Sequence, residues 1–69
     1  MDKQYVVIFE SVNLKEPNEE YYYNTLDEAK YHFSLFGEDD ADMYRRILIV
    51  NLNDYSIIEE KNFADEIKD

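Results

Sequence analysis

The feature that most constrains this chain is the run Arg-Arg-Ile-Leu-Ile-Val-Asn-Leu over 45–52, followed at once by Asn53-Asp54 and a second run, Tyr-Ser-Ile-Ile-Glu-Glu, over 55–60. Two runs of strand length around an Asn-Asp pair predict a β-hairpin with the turn at 53–54. The first of its strands is apolar at four successive positions, Ile47 to Val50. Successive side chains of a strand point to opposite faces, so both faces of this strand need cover and it belongs inside a sheet. The run Tyr-Val-Val-Ile-Phe over 5–9 has the same property, and the strand it predicts, 4–12, belongs beside the first.

The remaining elements follow in order. Asn13, Pro17 and Asn18 mark a loop, because proline cannot donate a ladder hydrogen bond and asparagine favours turns. Glu-Glu-Tyr-Tyr-Tyr over 19–23 has the aromatic content of a strand and a charged start, which suits an edge. Thr25 and Glu28 have the spacing of a capping box, and Leu26, Ala29, Phe33 and Phe36 recur at intervals of three and four, which predicts a helix over 26–36. Gly37 stands where a left-handed C-cap would end it. An acidic connector over 38–42 leads to the hairpin strands at 45–52 and 55–61. Arg45 and Arg46, the only adjacent cations, are expected to neutralise Asp39, Asp40 and Asp42 just before them. In the tail over 62–69, Asn62 could cap a short helical turn with Phe63 and Ile67 on one side; otherwise the tail frays.

The element order is β-β-α-β-β. The doubly apolar strands, first and third, take the centre, and the half-polar second and fourth take the edges. The expected fold is therefore α+β: a four-stranded antiparallel sheet of order 2-1-3-4 with one helix on one face and a right-handed crossover. One helix covers one face. Either Tyr5, Val7, Phe9, Ile47 and Ile49, or Val6, Ile8, Leu48, Val50 and Leu52, must face away from it, to be covered by the tail or by another protein, a second copy of the chain being the commonest.

Sixty-nine residues make a single small domain, 1–69, near the lower size limit for a core without staples. There is no cysteine, so disulfides and thiolate metal sites are excluded and a cytoplasmic setting is the default. The apolar run at 5–9 is too short for a signal-peptide core or a membrane span. Seventeen Asp and Glu against seven Lys and Arg give a formal charge of -10, which argues against direct binding to nucleic acid, since phosphate contacts need cations.

No constellation carries recognisable chemistry. His32 is the only histidine, and Ser11, Ser34 and Ser56 sit in no nucleophile context; a histidine at the helix surface or rim is the plain reading. Glu38, Asp39, Asp40 and Asp42 lack the spacing and glycine of a calcium loop. The paired carboxylates are too abundant to mark a dyad, and the only glycine rules out a phosphate loop. The expectation is a non-enzyme without metal or cofactor.

What stands out is seven tyrosines without a tryptophan, interleaved with acid. Tyrosine offers a large contact area with a polar tip at low entropy cost and is enriched where proteins meet. Carboxylates at phosphate-like spacing can occupy a cationic groove that normally holds nucleic acid. In size and composition the chain resembles the small acidic inhibitors that phages and other mobile elements encode against host nucleases, including anti-CRISPR proteins. The resemblance implies a protein partner with a basic surface, in the cytoplasm of a host cell if the chain is phage-encoded. The residues expected to carry such binding are Glu19, Glu20, Tyr21, Tyr22, Tyr23, Glu38, Asp39, Asp40 and Asp42. The alternative is a homodimeric structural or regulatory module that pairs through its apolar sheet face.

Overall fold

A computed structural model describes residues 3–63. The elements are β1 (Tyr5–Ser11), β2 (Glu19–Tyr23), α1 (Leu26–Ser34), a 3-10 turn (Glu38–Asp40), β3 (Tyr44–Asn51) and β4 (Ser56–Asn62). The sheet is open, antiparallel throughout and ordered β2-β1-β3-β4. This is the arrangement expected from the two doubly apolar runs, which form its central pair.

The helix packs against the face built by Val7 and Phe9 of β1 and Ile47 and Ile49 of β3, with Ala29 and Phe33 projecting from α1 and Tyr44 and Phe63 closing the ends. Leu26 and Phe36 pack against this core as the helical spacing required. The set that faces away is therefore Val6, Ile8, Leu48 and Val50. This second face is not open: Val6 and Leu48 are only 3% and 4% exposed, and the large side chains left bare on it are Tyr22 and Ile57. Phe63 belongs to the helix-side core rather than to this face, and Ile67 lies outside the described residues.

An ion-pair network closes one end of the second face. Arg46 forks onto Glu10, with Nε donating to Oε1 at 3.1 Å and Nη2 to Oε2 at 2.7 Å, while its Nη1 donates to Glu60 at 2.8 Å. These bonds hold the Arg46 guanidinium above its ordinary range. Arg45 reaches Glu10 at 3.2 Å and donates from Nε to the Ser11 carbonyl. The expectation that both arginines neutralise the preceding acidic connector is thus overturned. Strand register is the reason, since Glu10 lies directly opposite Arg46 and a register shift at Ser11 brings Arg45 within reach. Bidentate, charge-assisted pairing between neighbouring strands wins over proximity in the chain.

Two local expectations also change. The helix ends at Ser34 rather than 36, and Gly37 has no positive φ. A cation from β4 closes this end: Lys61 Nζ donates to Phe33 O at 3.0 Å, which also accepts the Phe36 N–H at 3.5 Å, and to Phe36 O at 2.6 Å just past the helix, and lies 4.4 Å from the centre of the Phe33 ring. A cation at a helix C-terminus satisfies the dipole and the orphan carbonyls together, so no left-handed glycine is needed. At the other end Thr25 is the N-cap, as expected, its hydroxyl accepting the Glu28 N–H. The hairpin loop is four residues, 52–55, rather than the pair 53–54. Tyr55 adopts a left-handed φ of 60° and returns its N–H to the Asn51 carbonyl, an i→i+4 turn.

Candidate protein-binding surface

Strand alternation divides the tyrosine-rich segment. Glu19, Tyr21 and Tyr23 pair with Phe9, Val7 and Tyr5 and share the helix side, whereas Glu20 and Tyr22 pair with Ile8 and Val6 and share the opposite side. On each side a tyrosine hydroxyl holds a carboxylate two residues away. Tyr21 Oη donates to Glu19 at 2.8 Å, and Tyr22 Oη donates to Glu20 at 2.7 Å. Tyr44 Oη, from β3, donates weakly to Glu19 as well, at 3.5 Å. The hydrogen bonds to Glu19 and Glu20 are the main cause raising the Tyr21 and Tyr22 hydroxyls above their usual range, while Tyr44 is raised first by burial and then by the Glu19 charge. All three therefore remain protonated donors across the neutral range. A neutral donor orients a carboxylate without cancelling its charge.

Glu19 also lines a cleft of about 290 Å³ at the end of the sheet, where Glu16 and Asp42 join it over a floor that includes Phe9 and Tyr44. Asp40 is near enough for its charge to help raise Tyr44, and its Oδ2 accepts the Gly37 N–H at 3.0 Å. Asp39 is exposed on the 3-10 turn. The structure thus brings Glu19, Asp40 and Asp42 to one end of the molecule, with Glu38 in the 3-10 turn beside them. Glu20 and Tyr22 lie across the sheet. Glu16 and Tyr44 also belong to the acidic end; neither is legible without the β1–β3 register, which sets Ser11 opposite Tyr44.

His32 sits at the rim of an aromatic cluster. Its ring packs 5.1 Å from Phe9, 4.9 Å from Tyr21, 5.7 Å from Tyr23 and 5.6 Å from Phe36, centre to centre. Tyr23 Oη is hydrogen-bonded to His32 Nδ1, and burial lowers the imidazole below its ordinary range, favouring the neutral ring that can accept that bond. Beside the cluster, α1 and β2 enclose an open apolar groove of about 470 Å³ lined by Tyr23, Tyr31, His32 and Leu35, with Asp27 and Glu28 on its rim.

The charges are segregated. Lys30 pairs with Glu59 of β4 at 3.4 Å, Arg45 and Arg46 pair with Glu10 and Glu60, and Lys61 caps the helix. These cations are taken up by Glu10 of β1, Glu59 and Glu60 of β4 and the end of α1. Among the described residues, no ion pair reaches Glu16, Glu19, Glu20, Asp39, Asp40 or Asp42. No group of three or more acidic or histidine side chains is placed to hold a metal ion among them, and no described helix is long and apolar enough to cross a membrane.

Compared with protein families, with curated proteins and with solved structures, the chain finds no match in any of the three.

Proposed function

We propose that this protein is a small, non-catalytic binding protein that occupies a basic, nucleic-acid-handling surface of another protein, in the manner of phage or mobile-element inhibitors, within the cytoplasm. The observation that carries the reading is the segregation of charge. Among the described residues, the cations of the ion pairs and of the helix end are taken up by Glu10, Glu59, Glu60 and the carbonyls of Phe33 and Phe36, and no ion pair reaches Glu19, Glu20, Asp39, Asp40 or Asp42, which present uncompensated carboxylates. Two of them are held in fixed positions by tyrosine hydroxyls. A fixed array of carboxylates competes for a cationic groove by the same attraction and counterion release that draw in a polyanion.

The test is capture from a bacterial lysate on the immobilised protein, with elution by DNA or RNA. A specific basic protein that nucleic acid releases, and that the double variant Asp39→Lys, Asp40→Lys fails to retain, is the expected result. Affinity for that protein should fall steeply with salt. Salt-independent retention, or equal retention by the double variant, would remove the electrostatic reading.

A further inference from the structure

The edge of the sheet at β2 offers more than charge. Leu52 N–H donates to the Gln4 carbonyl at 2.8 Å, which fixes the alternation along β1: Val6 and Ile8 spend their backbone groups on β3, Tyr5, Val7 and Phe9 spend theirs on β2, and Gln4, at the start, gives its carbonyl to β3 and its N–H to β2. Their partners on β2 are Tyr23, Tyr21 and Glu19, and the Gln4 N–H bond to the Tyr23 carbonyl at 3.0 Å agrees with that phase. The backbone N–H and C=O groups of Glu20 and Tyr22 therefore point away from the sheet, where no further strand lies among the described residues.

The only charges on this short edge are those of Glu19 and Glu20. The β1–β2 register runs without a shift across all five pairs. Edge strands are ordinarily protected by bulges, proline or lysine, and β2 carries none of these; Pro17 lies just outside it. Tyr22 is 47% exposed. Alongside lies the apolar groove between β2 and α1, in which Tyr31 and Leu35 remain 69% and 59% exposed. Around both, the charges are acidic: Glu19 and Glu20 on the strand, Asp27 and Glu28 on the groove rim.

We infer that β2 is a strand-addition site, taking an extended segment of a partner protein in which apolar and basic residues alternate. This inference deepens the binding reading above and rests on it. An added fifth strand would bond its backbone to Glu20 and Tyr22. Apolar side chains on its helix side would enter the groove over Tyr23, Tyr31 and Leu35, while its cations, on the opposite face, meet Glu20. Backbone bonds supply affinity and alternate side chains supply specificity in this mode. Charge decides the occupant: a second copy of a chain with formal charge -10 would bring further carboxylates against Glu19 and Glu20, whereas a basic segment is complementary.

The probe is a capped octapeptide of alternating lysine and valine, with three controls: octalysine, alternating glutamate and valine, and the Lys-Val peptide N-methylated on either the lysines or the valines. Binding is read by calorimetry and by hydrogen exchange at the Glu20 and Tyr22 amides. The expected result is that the Lys-Val peptide binds and protects both amides, and that one N-methylated form, but not the other, binds at least about tenfold more weakly, the loss of one or two backbone bonds. Tyr22→Pro should weaken binding by a similar factor, because it removes an outward N–H and leaves the ladder to β1 intact; the exchange pattern of β1 reports whether that variant is folded, and Tyr22→Val controls for the lost ring.

Equal binding of octalysine and of both N-methylated forms would overturn strand addition while leaving the electrostatic reading standing. Failure of every peptide to bind would likewise overturn strand addition, with the lysate capture deciding the broader reading separately. Amides of Glu20 and Tyr22 already protected in a concentration-dependent dimer would assign the edge to a second copy and overturn the inference.

Discussion

The two edges of this sheet are built on opposite terms. At β4 the register shifts between Ile49 and Val50, where Val50 pairs with Ile57 and Ile49 with Glu59, leaving Ile58 as the extra residue. The side chains of β4 are tied inward: Glu59 to Lys30, Glu60 to Arg46, Lys61 to the helix end. At β2 the register is regular, and among the described residues its carboxylates are bound only by tyrosine hydroxyls. A bulge and satisfied charges are how proteins close an edge against further pairing. The contrast teaches that the acid of this molecule is not uniform solubilising charge: it is compensated on one side and left available on the other.

Four substitutions break or sharpen this contrast. The largest effect is expected at Phe9, whose buried ring supports the β2 half through Tyr21, His32, Phe36 and Tyr44 at centre distances of 4.8 to 5.6 Å. Phe9→Ala should cost about 3–5 kcal/mol in urea unfolding, a large share of the stability of a domain this small. Binding of any partner at the β2 edge should fail with it.

Next is Lys61→Met, which keeps the aliphatic stem on Phe33 and removes the ammonium from the Phe33 and Phe36 carbonyls. A loss of about 1–2 kcal/mol is expected, with partner binding at β2 unchanged. A defect in binding larger than the defect in stability would show that the two edges are not independent.

Arg46→Met deletes the fork onto Glu10 while Arg45 remains in place. Because the pair is partly exposed, the expected cost is about 1 kcal/mol or less, shrinking as salt is added. A salt response confined to the β4 side in wild-type protein, measured by hydrogen exchange at successive salt concentrations, would confirm that the compensated charges lie there.

The smallest effect concerns pH at the β2 side. Burial lowers His32 in the folded protein below its unfolded value of 6.5, so the folded state binds fewer protons than the unfolded state in the interval between the two. Its contribution is therefore fully present above about pH 6.5 and is lost as pH falls towards the folded value. His32→Phe should remove that slope. Comparing the pH dependence of the two proteins isolates it from the carboxylates, which titrate in both.

Much of the fold was legible because β1 and β3 are apolar on both faces, which leaves no place for them but the centre of the sheet. The helix start was equally legible, since Thr25 acts on its own immediate neighbours. Its end was not, because the cap is Lys61, from the far side of the sheet. The arginines were misassigned for the same reason: Glu10 is distant in sequence and adjacent only in register. In the candidate site, the acidic and tyrosine-rich residues were recognisable by type. What composition cannot reveal is that β2 splits them between two faces, that Glu16 and Tyr44 complete the acidic end, and which rings His32 meets at the rim where it was expected.

The strand order has a consequence for how the chain folds. Both hairpins, β1–β2 and β3–β4, close between neighbours in sequence, and α1 follows β2 almost directly. The seam between β1 and β3 is different: it joins Tyr5 to Asn51 and Phe9 to Ile47, from the two halves of the chain. Closing a long loop delays such contacts, and high contact order slows folding. Docking of β3 onto β1 is therefore the step expected to set the rate, and since neither hairpin buries its apolar faces without it, it is also the step expected to make the protein one cooperative unit.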